Sequence, residues 1–376
     1  IPEAADHFAE SIDFNETLMQ GLLSYLLFAG ALHVNLDDLR QQKWVVALMA
    51  SIGVVLSTFL VGTAAYFVLP MFGFEISFIW CLVFGALISP TDPVAVLGIL
   101  KKAGAPKSLE TKITGESLFN DGVGVVVYLA ILGMAVGGAA HGDHGGGAME
   151  VAKLFAVEAG GGIIWGFALG ALGFFMLRSI DSYQVEVIIT LAMVTAGYHV
   201  AMGWHISGPL AMVVAGLMIG NQGRTLAMSD VTRRHLDMFW ELVDEILNAV
   251  LFVLLGLELF VVNFTGASVA AGVVMILVVL GARFTAVLVP VSILRRFRSF
   301  TPGVTWMLTW GGLRGGISVA LALGIPKAAE HADERGIILV CTYIVVVFSI
   351  LVQGLTLKPL ISKMVGKSAE AAEEVP

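Results

Sequence analysis

Residues 89–93 read SPTDP and residues 115–122 read GESLFNDG, and both stretches lie inside segments that are otherwise apolar enough to be membrane helices. The first stretch carries Asp92, and the second carries Glu116 and Asp121. An ionised side chain at the centre of a bilayer is energetically costly, so such residues are rare there and usually mark an ion or proton pathway. Glu258 is a further acid in an apolar segment, although it lies near the end of that segment. The acids therefore indicate a membrane protein with an ion pathway.

The composition of the 376-residue chain also points to the membrane. It contains 57% apolar and 13% charged residues, with a mean hydropathy of +0.89, whereas about a quarter of the residues are charged in soluble domains. Runs of about 20 apolar residues, each long enough to span a bilayer, recur along the chain. The pattern predicts an all-α polytopic membrane protein with eleven segments, near residues 17–34, 44–70, 76–101, 112–138, 151–177, 184–203, 206–220, 237–262, 266–294, 302–325 and 335–361.

The cations predict the domain organisation and the orientation. Of the 21 lysines and arginines, sixteen fall in one set of alternate loops and three in the opposite set. Cytoplasmic loops carry the excess of positive charge. We therefore expect residues 1–16 to lie outside the cell, residues 17–361 to form the transmembrane transport domain, and residues 362–376 to form a short cytoplasmic tail. The net charge of −8 argues against a nucleic-acid partner.

Segment 76–101 is predicted to be a broken helix. Pro90 and Pro93 each remove a backbone donor and clash with the preceding turn. A broken helix at membrane depth is tolerated only where it is buried in protein or lines a cavity. Freed carbonyl groups near Thr91 can then coordinate a small cation, while Asp92 faces the positive end of the following half-helix. The alternative is a plain proline kink in which Asp92 only caps the second half-helix.

Segment 302–325 contains a matching interruption, because residues 311–316 read GGLRGG. Four glycines weaken the helix, each by about 1 kcal/mol relative to alanine, and Arg314 places a charge in the break. Close helix packing through small residues is an alternative explanation for the glycines, but it does not explain Arg314. A pair of interrupted segments, one in each half of the chain, is typical of inverted-repeat transporters.

Segment 112–138 carries the polar side chains Glu116, Ser117, Asn120 and Asp121. At 3.6 residues per turn, Glu116 and Asn120 share one face of the helix, and Ser117 and Asp121 share the face beside it. Two carboxylates so close together in an apolar environment cannot both stay ionised without a partner. Arg283, in segment 266–294, is a suitable partner, and we expect it to pair with Glu116. Asp121 would then be free to bind a proton or a metal ion.

The chain resembles the sodium/proton exchangers in the order of four features: the Thr-Asp-Pro break, the acidic helix, Arg283 and the GGLRGG stretch. The resemblance is to the NhaP/NHE branch of the monovalent cation:proton antiporters, and it covers essentially the whole chain. The Asn-Asp pair at residues 120 and 121 is specific to that branch. The resemblance implies an NhaA/NHE-like inverted-repeat antiporter fold with two broken, crossing helices. It also implies thirteen helices, of which this chain would hold helices three to thirteen, and a moving core beside a dimerising scaffold.

The resemblance also implies roles for individual residues. Asp121 would be the carboxylate that exchanges the cation and the proton. Thr91, Asp92 and Ser117 would help to coordinate the transported cation, with Asn120 as a polar support. The remaining three residues are charged: Glu116 and Arg283 would form a structural salt bridge, and Arg314 would compensate the charge of the helix crossing.

The expected activity is antiport of a monovalent cation, Na⁺ first and Li⁺ second, against H⁺ in a one-to-one, electroneutral exchange. A K⁺/H⁺ antiporter on the same scaffold is an alternative. A cation channel or a signalling module with this fold is a rival of a different class, but a channel needs a continuous polar lining or a filter ring. We expect no enzymatic activity and no cofactor beyond the transported ions. The expected partners are membrane lipid and a second copy of the chain, in the plasma (inner) membrane.

Overall fold

The computed structural model describes residues 22–92, 96, 100, 107–137, 148–258, 264–296, 303–326 and 331–373. Within these ranges the chain is helical and forms no named strand. The helices are α1 Leu23–Leu32, α2 Leu36–Leu48, α3 Val54–Val68, α4 Phe78–Leu87, α5 Lys107–Gly137, α6 Ala148–Arg178, α7 Tyr183–Gly203, α8 Gly208–Met218, α9 Arg224–Leu226, α10 Asp230–Glu258, α11 Gly266–Leu294, α12 Val304–Trp310, α13 Gly316–Leu323, α14 Ala332–Phe348 and α15 Gly354–Glu373.

Three short π-helical turns join pairs of these helices without ending them. They are Met49–Gly53 between α2 and α3, Ile219–Gly223 between α8 and α9, and Ser349–Gln353 between α14 and α15. Single π-helical turns inside α-helices are often found at functional sites. The hydrophobic pattern of the sequence did not predict any of the three.

Each of the eleven predicted segments overlaps a helix, but the count of eleven membrane spans stays a prediction. Six helical stretches in the described part of the chain are long and apolar enough to cross a membrane: residues 36–72, 109–136, 156–178, 183–203, 266–294 and 332–363. The predicted outer stretch, residues 1–16, lies outside the described residues, and so do residues 93–95, 97–99 and 101–106, which follow the break at Asp92. At the other end, α15 continues to Glu373, past the predicted boundary at residue 361.

The chain divides into two compact units. The first contains the described residues of Ile1–Leu36, His144–Val261 and Leu323–Pro326, and the second contains those of Asp37–Asp143, Val262–Ala322 and Lys327–Pro376. All of the polar residues that the sequence singled out for ion binding belong to the second unit.

The first unit is built on close contacts between helices at small residues. A Cβ atom added at Gly216 of α8 would meet the backbone of Phe28 in α1, and one added at Gly166 of α6 would meet the backbone of Ala211 in α8. Small residues allow such backbone approach between membrane helices. Phe28 also contacts Trp240 of α10, with a distance of 4.8 Å between the ring centroids.

The second unit is built around the two interrupted segments. Helix α4 packs against α3 through Gly85, where an added Cβ would overlap the backbone of Thr58. Within the second break, Leu313 belongs to a buried apolar cluster that also contains Val96, Ile113 and Val287. The unwound residues are thus enclosed by helices on several sides, which satisfies the condition for irregular backbone at membrane depth.

Candidate ion-binding site

A backbone hydrogen bond joins the two interrupted segments. Helix α4 ends at Leu87, and α12 and α13 are separated by the unwound residues 311–315. The N–H of Asp92 donates a hydrogen bond of 2.8 Å to the carbonyl oxygen of Leu313, in an isolated antiparallel bridge. The prolines of the first break and the glycines of the second leave backbone groups without intrahelical partners. The crossing satisfies two of these groups with each other.

Arg314 ties the crossing together from the second break. Its Nη1 donates to the carbonyl oxygens of Ser89 and Pro90, at 2.5 and 2.9 Å, and its side chain is 2% exposed. Both carbonyl groups follow the C-terminal end of α4, where the partial charge of a helix is negative. The guanidinium therefore lies where a positive charge is favoured.

Thr91 in the first break is held by two side chains of α5. Asn120 accepts from the Thr91 N–H through Oδ1, at 3.2 Å, and donates to Thr91 Oγ1 through Nδ2, at 2.8 Å. The hydroxyl oxygens of Thr91 and Ser117 are 2.9 Å apart. Since its amide oxygen and nitrogen are both engaged, Asn120 fixes the break against α5. Thr91 Oγ1 and Ser117 Oγ are hydroxyl oxygens that lie side by side in this contact.

Asp121 is buried next to these groups, with 5% of its surface exposed. Its Oδ1 has no hydrogen-bond partner among the described residues. The charged side chains that act on it electrostatically are Asp92, Glu116 and Arg314. A buried carboxyl oxygen without a partner is unfavourable unless it binds a proton or a cation.

Glu116 differs from Asp121 because an arginine neutralises it. Both terminal nitrogens of Arg283 donate to its carboxylate, Nη1 to Oε1 and Nη2 to Oε2 at 2.9 Å. The Glu116 side chain is 1% exposed and the Arg283 side chain 8%. Nη2 also donates to the carbonyl oxygen of Leu308 in α12, at 3.1 Å. The structure thus brings together the two residues that the sequence expected to pair.

Asp92 approaches the second break through its side chain as well as its backbone. A Cβ atom added at Gly315 would overlap the Asp92 carboxylate, so the close approach requires a glycine there. Gly312 similarly gives room to the guanidinium of Arg283. Two of the glycines in the second break are therefore explained by the charged side chains that lie against them. Glu258, the fourth acid noted in the sequence, is the last residue of α10 in the first unit.

Comparison with known proteins identifies the family. Residues 5–363, nearly the whole chain, match the family described as sodium/hydrogen exchanger, transmembrane. The chain belongs to the sodium/hydrogen exchanger family.

Relatives within the exchanger family cover most of the chain. The Na(+)/H(+) antiporter NhaP of Pseudomonas aeruginosa is 53% identical over 367 residues, which are 96% of this chain and 84% of that protein. The Na(+)/H(+) antiporter NhaH of Halobacillus dabanensis is 35% identical, over 97% of this chain and 87% of its own length. The resemblance drawn from the sequence motifs is therefore confirmed.

The fold of the exchanger family is also found by structural comparison. The sodium proton antiporter MjNhaP1 from Methanocaldococcus jannaschii, solved at pH 8, matches with a TM-score of 0.74 over 92% of this chain and 84% of that chain. The sequence identity is 20%, so this match shows the fold alone. It confirms the all-helical antiporter fold, while the inverted repeat and the number of spans stay predictions.

Ser349 and Gln353 are two polar residues that contact the second break and that the sequence analysis did not single out. Ser349 Oγ accepts from the N–H of Arg314 at 2.8 Å, and Gln353 Nε2 donates to the carbonyl oxygen of Trp310 at 3.3 Å. The available signal was weak: two polar residues four apart in an otherwise apolar helix. Their partners are backbone groups in another segment, which no local pattern indicates.

Proposed function

We propose that this protein exchanges Na⁺ for H⁺ across the membrane and that the two ions compete for Asp121. The observation that carries the proposal is the contrast between the two carboxylates of α5. Glu116 is paired by two hydrogen bonds with Arg283, whereas Asp121 is buried with Oδ1 unpartnered among the described residues. A carboxylate in that position gains most from a proton or a bound cation.

The oxygens around Asp121 suit a small monovalent cation. Carboxylate, hydroxyl and carbonyl oxygens are the ligands that hard cations prefer. Asp121 and Asp92 would supply charge, and Thr91 Oγ1 and Ser117 Oγ would supply neutral oxygens. Asn120 would keep Thr91 in place rather than bind the ion, because its amide is already engaged with Thr91.

Competition at one carboxylate accounts for coupling. When Asp121 binds a proton or Na⁺, its carboxyl group is neutral, and the site can change from facing one side of the membrane to facing the other. A bare Asp121 carboxylate prevents this change, because a charge at the bilayer centre is energetically costly. The exchange is then one cation for one proton and moves no net charge. Glu116 does not change this count, because Arg283 neutralises it, and Asp92 does not change it when its charge is the same in both states.

The same proposal includes the arrangement in the membrane. The site would lie at the crossing of two inverted repeats and face the two sides in turn. The N-terminus of this chain would lie outside and its C-terminus in the cytoplasm, in the plasma (inner) membrane, as the distribution of lysine and arginine indicates. The functional form would be a homodimer surrounded by lipid. Relatives that bear the name Na(+)/H(+) antiporter support Na⁺ as the cation.

Proton flux measured salt by salt in proteoliposomes tests the proposal. Addition of NaCl should drive proton movement, LiCl should act similarly, and KCl and choline chloride should not. By mass action, the apparent KM for Na⁺ should rise about tenfold for each unit of pH below the point at which Asp121 is mostly protonated. Flux that responds to KCl alone would replace Na⁺ with K⁺ as the substrate. Rates that do not saturate with cation concentration would favour a channel.

A further inference from the structure

The π-helical turn Ser349–Gln353 supplies both ends of the second break with hydrogen-bond partners. Its first residue, Ser349, accepts a hydrogen bond from the N–H of Arg314 at 2.8 Å. Its last residue, Gln353, donates to the carbonyl oxygen of Trp310 at 3.3 Å. Both side chains are buried, with 0% and 3% of their surface exposed.

These partners answer a need that the break creates. Trp310 is the last residue of α12, so α12 supplies no N–H donor for its carbonyl oxygen. Arg314 lies just before α13, which begins at Gly316. Buried backbone groups that lack a partner destabilise the structure by about as much as a lost hydrogen bond. Gln353 therefore satisfies the last carbonyl group of α12, and Ser349 satisfies an N–H of the unwound chain just before α13.

Side chains of another helix, α5, hydrogen-bond to the first break in a similar way. Ser117 and Asn120 of α5 contact Thr91, just as Ser349 and Gln353 contact the second break. Each break is thus held by one hydroxyl and one amide from a neighbouring helix. The difference lies in what is held: the first pair holds a proposed cation ligand, and the second pair holds the segment that presents Arg314.

A small cavity lies beside the Arg314 side chain. The cavity has a volume of about 10 Å³, the room taken by about one water molecule, and is lined by Arg283, Arg314 and Gln353 together with apolar side chains. Within the described residues, Arg314 Nη2 and Arg283 Nε have no hydrogen-bond partner. The guanidinium therefore borders a water-sized space, while the backbone of the same residue is held by Ser349.

We propose that Ser349 and Gln353 are positioning residues that hold Arg314 against the carbonyl groups of Ser89 and Pro90. This inference rests on the proposed function, because the consequence of losing the position is a slower exchange. The two side chains hydrogen-bond to backbone groups of the second break, at Arg314 and Trp310. Their loss is thus expected to lower the maximal exchange rate and to leave the apparent affinity for Na⁺ nearly unchanged.

Hydrogen exchange tests the contact without any transport. In Ser349→Ala the N–H of Arg314 loses its acceptor, so the peptide that contains Arg314 should exchange faster with solvent deuterium than in the unmodified protein. Ser51→Ala is the matched control, because Ser51 also lies in a π-helical turn but donates only to the carbonyl of Ala47 in its own helix. Equal exchange at Arg314 in both variants would overturn the assignment of Ser349.

Transport kinetics test the consequence. In Gln353→Met and in Ser349→Ala the maximal rate should fall by about tenfold, the ratio that the loss of one ordinary hydrogen bond gives, with an apparent KM for Na⁺ within about twofold. Gln222→Met is the control for Gln353→Met, because Gln222 is an exposed residue of the π-helical turn Ile219–Gly223. If Ser349→Ala does not fold, as judged by its thermal melting, Gln353→Met carries the test.

The outcomes separate the inference from the proposed function. Unchanged maximal rates in folded variants, or a rise in KM with no change in rate, would overturn the positioning role while leaving Na⁺/H⁺ exchange intact. Failure of the unmodified protein to exchange Na⁺ for H⁺ would overturn the proposed function. The faster hydrogen exchange at Arg314 would even then be expected, because it depends only on the contact with Ser349.

Discussion

The backbone N–H of Asp92 donates to the carbonyl oxygen of Leu313, and this one bond of 2.8 Å joins the two interrupted segments of the protein. The next residue, Arg314, reaches back to the carbonyl groups of Ser89 and Pro90. The crossing is therefore linked both through the backbone and through a buried charge. A substitution that displaces either segment should therefore also displace the other.

Gly315→Ala should damage the crossing, because the added methyl group would overlap the Asp92 carboxylate. We expect the variant to lose about 1–3 kcal/mol of stability, the range for overpacked sites, and to lose most of its exchange activity. The matched control is Gly133→Ala in α5, where an added Cβ meets no atom within 4 Å. That change should be neutral or stabilising by about 0.5–1 kcal/mol.

Thermal melting and Na⁺-dependent proton flux measured on both glycine variants check this prediction. A Gly315→Ala protein as stable and as active as Gly133→Ala would mean that Asp92 does not need to lie against the second break.

Removing one member of the buried ion pair should destabilise the protein strongly. Glu116→Gln or Arg283→Met leaves the other charge buried and unpaired, at a cost of about 3–5 kcal/mol. The double variant should be less destabilised than either single variant, since no unpaired charge remains. Melting curves of these three variants and of the unmodified protein form the double-mutant cycle.

The control for the ion pair is Asp230→Asn at an exposed pair. Asp230 and Arg233 are three residues apart in α10, and the Asp230 side chain is 87% exposed. An exposed pair of this kind contributes about 0–1 kcal/mol. Single variants at Glu116 and Arg283 that melt like Asp230→Asn would show that the buried pair does not support the fold.

Several features of the site follow from the sequence on physical grounds. Prolines and glycines inside apolar segments predict the two breaks, because the chain cannot continue as a regular helix there. Charge accounting predicts the pairing of Glu116 with Arg283, because two acids in an apolar helix need a cation. The sequence is informative about these features because each depends on local backbone chemistry or on the cost of an unpaired charge.

Other features could not be predicted in this way. The three π-helical turns leave no trace in the hydrophobic pattern, since one extra residue in a turn is compatible with an apolar helix on both sides. The roles of Ser349 and Gln353 depend on backbone groups more than 30 residues earlier in the chain. Tertiary contacts of this kind appear only when the segments are brought together.

Thr91→Val should weaken cation binding more than it slows exchange. The change removes Oγ1, which lies 2.9 Å from Ser117 Oγ and accepts from Asn120. The apparent KM for Na⁺ should rise by about tenfold, the ratio for the loss of one ligand of ordinary hydrogen-bond strength. Thr91→Ser keeps the hydroxyl and should stay within about twofold of the unmodified protein. An unchanged KM in Thr91→Val would remove Thr91 from the cation site.

The equilibrium of the exchange should not respond to voltage. With Asp121 as the only exchanging carboxylate, a protonated neutral form alternates with a cation-bound neutral form. A potential of 100 mV would bias an exchanger that moves one net charge by about 2.3 kcal/mol, or about 50-fold in its equilibrium gradient. The reversal point of proton flux, measured with potassium and valinomycin to set the potential, should stay constant. A reversal point that shifts with voltage would show that a second carboxylate titrates, with Asp92 as the first candidate.

The measurement that tests the central claim most directly is Na⁺-dependent proton flux by Asp121→Asn in proteoliposomes. Asparagine is close to aspartate in size but can neither be deprotonated nor carry the charge that holds Na⁺, so the flux should vanish while the protein melts at the same or a higher temperature. Glu110→Gln, near the start of the same helix, is the matched control and should exchange normally. Full exchange by a well-folded Asp121→Asn protein would contradict the account, because the two ions would then not compete for this carboxylate.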